Sequence, residues 1–66
     1  MKLTINGTER PFADGSGIPE VLAEVGLHPS TALVELNGQA LFRHEWPETQ
    51  LKDGDVLEII RVVAGG

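Results

Sequence analysis

The sequence contains no cysteine, so disulfides, thiolate nucleophiles and thiolate metal sites are all excluded. Basic residues are scarce. Five Lys and Arg against ten Asp and Glu leave a formal net charge of −5. Affinity for phosphate backbones comes largely from Lys and Arg, so nucleic acid is not an expected partner. A basic protein surface suits the chain better. No stretch approaches the roughly 20 apolar residues of a membrane span, and "MKLTING" lacks the apolar run of a signal peptide. The expectation is a cytoplasmic protein with no membrane partner. The chain is also short. Its 66 residues are expected to form one domain, and a domain of this size buries only about 60% of the surface its unfolded chain exposes. That leaves no room for a cleft between lobes, so neither catalytic residues nor turnover of its own is expected. No internal repeat, linker or low-complexity segment interrupts the sequence.

What is present is clear patterning. Met1, Leu3 and Ile5 alternate with Lys2 and Thr4, the period of a half-buried strand. Asn6-Gly7 follows, a strong hairpin signal, and residues 8–12 should return antiparallel. Pro11 cannot donate to a ladder, which makes this an edge strand. After a loop at 13–17, Ile18, Val21, Leu22 and Val25 lie on one face of a helix. Pro19 is tolerable only in a first turn, so the helix starts near Gly17, and Gly26 is its expected stop. Ala32, Val34 and Leu36 mark a third strand, Asn37-Gly38 a second tight turn, and residues 39–42 a short fourth strand. Residues 43–50 read as irregular or a single helical turn, anchored by Trp46 and Leu51. Residues 52–55 form a turn, and 56–63 are the longest and most β-branched strand.

The order is ββαββ, a short connection, then β. The most apolar strand is the last, so it belongs at the centre, beside the first. This predicts an α+β fold of β-grasp type, with a mixed sheet of about five strands packed on one helix. If Leu57 and Ile59 face the helix, Val56, Glu58, Ile60 and Val62 face away, joined by Leu33 and Glu35 of the third strand. With no second helix, this face either exposes Leu33, Ile60 and Val62 within a ring of carboxylates, as a protein-binding surface does, or is covered by Trp46 or Phe42.

Other residues carry weaker signals. His28 and His44 lie in separate loops without a ligand framework, which favours packing or surface roles over metal binding. Asp53-Gly54-Asp55 reads as a turn, since the further ligands of a calcium loop are missing. Trp46 reads as a plug for a small core rather than an interface residue.

The chain's last six residues are "RVVAGG". A Gly-Gly end arises by chance in roughly 0.5% of chains, and a frayed end is the bland explanation. Yet the diglycine directly follows a strand, so 63–66 is expected to project from a rigid body as a flexible arm. A carboxylate is a poor electrophile until it attacks the α-phosphate of ATP and becomes an acyl-adenylate. To reach ATP it must enter another protein's active site. Two residues without Cβ fit a narrow channel and take backbone angles closed to others.

"VELNGQAL" (34–41), Trp46, "LKDGDVLEI" (51–59) and "VVAGG" (62–66) at these spacings resemble the small sulfur carriers of thiamine biosynthesis, the ThiS family. These belong to the β-grasp superfamily with ubiquitin and the molybdopterin-synthase small subunit. The resemblance spans essentially the whole chain. It implies that Gly66 is the site of covalent attachment, first as adenylate and then as thiocarboxylate, and that Gly65, Ala64 and Val63 thread into the partner. The expected partner-binding face is the one read from alternation: Leu33, Glu35, Glu58, Ile60 and Val62. The implied partners are a ubiquitin-activating-like adenylyltransferase that uses ATP and Mg²⁺, a sulfur donor fed by a cysteine desulfurase, and thiazole synthase. No cofactor is implied for the chain itself. A molybdopterin-type carrier and a ubiquitin-like protein modifier are the alternatives, because the same tail serves all three. Gly17, where a Ser or Thr cap is usual, and Phe42, where a smaller residue or proline is more common, depart from the family pattern.

Overall fold

The structure, a computed structural model, describes residues 1–63. Both Asn-Gly pairs make two-residue hairpins. In the first, β1 (Lys2–Ile5) pairs antiparallel with β2 (Thr8–Pro11), Ile5 facing Thr8. In the second, β3 (Ala32–Leu36) pairs with β4 (Gln39–Leu41), Leu36 facing Gln39. The turns have positive φ at both central residues, 50° and 84° at Asn6-Gly7 and 52° and 84° at Asn37-Gly38. That conformation matches strand twist and selects Asn-Gly.

β5 (Val56–Arg61) joins the hairpins, giving the strand order β2-β1-β5-β3-β4. It runs parallel to β1, with Thr4 beside Val56, and antiparallel to β3, with Leu33 beside Ile60. The apolar last strand is thus central, and Pro11 lies on an edge strand as the ladder requires.

Helix α1 (Ile18–Val25) buries Ile18, Val21 and Leu22 completely. Gly17 has no side chain to cap it. The Glu20 carboxylate accepts from the Gly17 N–H at 2.6 Å instead. Gly26 ends the helix in the left-handed region. Two helical turns cannot roof five strands alone. A 3-10 segment, Arg43–Glu48, inserts Trp46, and Leu51 follows it into the same cluster as Leu3, Ile5, Val34, Leu57 and Ile59.

Three boundaries differ from the sequence reading. β5 stops at Arg61, two residues short of the expected 63, because its partner β3 begins at Ala32, opposite Arg61. Before Ala32 the chain turns through a 3-10 segment, Pro29–Thr31, and offers only the Thr31 carbonyl, which accepts from Val62. β4 stops at Leu41, because Phe42 is the N-cap of the 3-10 segment. β2 stops at Pro11, although the Phe12 N–H still reaches the Met1 carbonyl at 2.8 Å. Among the described residues, no helix is long and apolar enough to cross a membrane.

Candidate functional site

Alternation along β3 and β5 divides their side chains between two faces. Val34, Leu57 and Ile59 turn inward and are buried. Leu33 and Ile60 turn outward opposite each other, each 58% exposed, and Glu35 lies opposite Glu58 on the same side. The expected covers, Trp46 and Phe42, border this face without closing it, since Leu33 and Ile60 stay exposed. Trp46 is buried in the core, where its indole N–H donates to the Leu41 carbonyl at 3.2 Å. Phe42 stays 62% exposed, its ring stacked parallel to that of His44 with centroids 6.1 Å apart. Phe42, Leu33 and Ile60 instead help to wall an open groove of about 340 Å³, which also meets Ala40, Glu35 and Glu58.

The electrostatics of the groove are one-sided. Arg43 lines it, but its guanidinium donates to the Pro29 carbonyl at 2.7 Å and lies 5.6 Å from the Trp46 ring centre. Among the described residues the one ion pair joins the Met1 amine to Asp14, on another part of the molecule. Glu35 and Glu58 therefore face each other across β3 and β5 without a cation between them.

The same face leads to the chain's exit from the sheet. Val62 follows β5 directly, its N–H donating to Thr31 at 2.7 Å, and it remains 41% exposed. Val63 is 80% exposed. Ala64, Gly65 and Gly66, the expected threading and attachment residues, lie outside the described residues. The structure thus brings Leu33, Glu35, Glu58 and Ile60 together on one surface, with Val62 at its end.

The remaining candidates have local duties. His28 Nδ1 accepts from the Ser30 N–H at 3.1 Å and caps the short 3-10 segment there. In the Asp53-Gly54-Asp55 turn, Asp53 accepts from the Lys2 N–H at 2.6 Å. The buried Asp55 carboxylate accepts from the Lys52 N–H at 2.8 Å and the Asn37 side-chain amide at 3.1 Å. Sequence reasoning identified the turn but missed this internal role. The only available signal was the preference of Asp for bonding nearby backbone.

A mixed five-stranded sheet with its longest strand central, packed on one helix, is the β-grasp arrangement of ubiquitin-like proteins. A ubiquitin-like protein from the archaeon Caldiarchaeum subterraneum shares it, with 27% identity over 98% of this chain and 100% of that one and a TM-score of 0.52. The crystal structure of the thiamine biosynthesis protein ThiS from Geobacter metallireducens superposes with a TM-score of 0.76, at 34% identity and full coverage of both chains. The sequence pattern of the ThiS family matches residues 3–66, and the chain belongs to that family. The sulfur carrier protein ThiS of Thermus thermophilus is 39% identical over 94% of this chain and 95% of its own length. A thiazole synthase from Paramagnetospirillum magneticum is 35% identical over all of this chain, which spans only 20% of that protein.

Proposed function

We propose that this chain is a sulfur carrier of thiamine biosynthesis and that its reactive group is the Gly66 carboxylate. A partner adenylyltransferase binds ATP and Mg²⁺. A carboxylate oxygen attacks the α-phosphorus, pyrophosphate leaves, and Gly66 becomes an acyl-adenylate. A sulfur nucleophile at the oxidation level of sulfide, released when a thiol reduces the persulfide that a desulfurase forms from cysteine and is itself oxidised to a disulfide, then attacks the carbonyl carbon. AMP leaves and a thiocarboxylate remains. Thiazole synthase takes the sulfur from it. The chain's own part is presentation: the sheet face docks, and residues 63–66 deliver the carboxylate.

The observation that carries this reading is the extent of the family match, which runs through residue 66 and so includes the diglycine. The thiazole synthase with a segment like this entire chain supports that enzyme as acceptor, since it holds a carrier-like segment and a synthase in one polypeptide.

The test is mass spectrometry of the protein after incubation with its adenylyltransferase, ATP and a sulfur source. Replacing one oxygen by sulfur changes the mass almost as much as oxidising Met1, so the shift must be localised to the fragment ending in Gly65-Gly66. A shift there is expected. An unmodified carboxylate with a demonstrably active partner overturns the proposal, and conjugates of higher mass would favour a protein modifier instead.

A further inference from the structure

Glu35 and Glu58 are directly opposed across β3 and β5, and both are exposed. Residues so placed have Cβ atoms about 4.5–5.5 Å apart, and like charges there repel. A fold relieves such a pair by placing a cation between them, but no ion pair among the described residues does so. Arg43, the basic side chain on the groove, is held by Pro29 and Trp46. The uncompensated pair adjoins an apolar groove walled by Leu33, Ile60 and Phe42.

The geometry points to a receptor for one arginine of a protein partner, bound between Glu35 and Glu58, with an aliphatic or aromatic side chain of the same partner seated in the groove. A guanidinium suits the site because its planar fork of five donors can bond two carboxylates at once, whereas an ammonium is a compact and strongly hydrated point charge. The apolar wall selects a protein surface over a small free cation. A second copy of this chain paired about a two-fold axis through the site would set the same carboxylates against themselves, and the net charge of −5 adds to that repulsion. The occupant is therefore a different, locally basic protein. Its identity as the adenylyltransferase rests on the proposed carrier function.

The test compares Glu35→Gln/Glu58→Gln with Glu24→Gln/Glu48→Gln, a control with the same net charge altered at exposed positions on the helix and the 3-10 segment. Calorimetric titration with the purified adenylyltransferase should show about tenfold weaker binding for the first variant and a change within about twofold for the control. Heating the free proteins should show the first variant as stable as the parent or more so, because a repulsive pair has been removed. Thiocarboxylate formation should need more carrier but reach the same maximal rate, as when docking alone is weakened.

Equal affinity of Glu35→Gln/Glu58→Gln and the parent would overturn the assignment. So would an equal loss in the control, or a fall in thermal stability that assigned the pair a structural role. Failure of the parent to bind the enzyme would overturn it as well. A parent that binds, with the expected difference between variants, but never acquires sulfur would retain the docking site and remove the carrier function.

Discussion

The side chain of Asn6 closes on the backbone of Ile59 from both sides: its Oδ1 accepts from the Ile59 N–H at 2.7 Å and its Nδ2 donates to the Ile59 carbonyl at 3.0 Å. One step earlier the Asn6 N–H donates to Leu57 at 2.9 Å. In a parallel ladder the next rung would use the Asn6 carbonyl. With Asn6 at φ 50° in the hairpin turn, the side chain supplies that rung instead. Asn6→Gly keeps the turn but loses both bonds and should cost about 1–3 kcal/mol. Asn6→Ala should cost about 1 kcal/mol more, for placing Cβ in the left-handed region. Urea unfolding should rank the parent above the glycine variant and the glycine variant above the alanine variant.

Asp55 ties the turn before β5 to the second hairpin through the Lys52 N–H and the Asn37 amide. Asp55→Ala leaves these donors without their acceptor and should cost about 2–3 kcal/mol. Asp55→Asn retains one carbonyl oxygen and should cost less. Denaturant midpoints of the two variants would check the order.

Trp46→Ala should cost about 3–5 kcal/mol. A domain of this length has a total stability of about 3–10 kcal/mol, so partial unfolding at room temperature is expected by circular dichroism. Trp46→Phe should lose less, chiefly the bond to Leu41 and part of the packing volume.

Glu20→Ala removes the side chain that answers the Gly17 N–H. The expected cost is about 0.5–1 kcal/mol, seen as a small fall in thermal midpoint without change in the docking affinity of the sheet face.

Gly65→Val lies beyond β5 and should leave the unfolding midpoint unchanged. If the tail enters a narrow channel, thiocarboxylate formation should fall by ~100-fold or more. A loss of stability of similar size to that of Asn6→Gly would instead mean that the tail is part of the folded body.

Local chemistry explains what could be read in advance. Asn-Gly fixed both hairpins, Pro19 and Gly26 bracketed the helix, and the β-branched run at 56–63 marked the central strand. Alternation along β3 and β5 is enough to put Leu33 and Ile60 on one face. The role of Asn6 was not legible, because its partner is 53 residues away and nothing near Asn6 announces it. Asp55 was hidden for a similar reason: a turn aspartate looks the same whether its carboxylate faces water or the interior. The premature end of β5 depended on where β3 begins, and strand length is a property of the pair. Phe42 was misplaced because the end of the fourth strand competes there with the cap of the following 3-10 segment.

The placement of β5 also governs the order in which the molecule can be made. Each hairpin is complete before β5 is synthesised, but the two share no strand neighbours until it arrives. Contacts of long sequence separation form late and slowly, so a chain still on the ribosome holds two unconnected ribbons and an uncovered helix. The docking face needs β3 and β5 side by side. It comes into existence only with the segment that leads directly to the glycines. Synthesis of β5 and assembly of that face are thereby the same event, and a chain that stops before β5 lacks the surface.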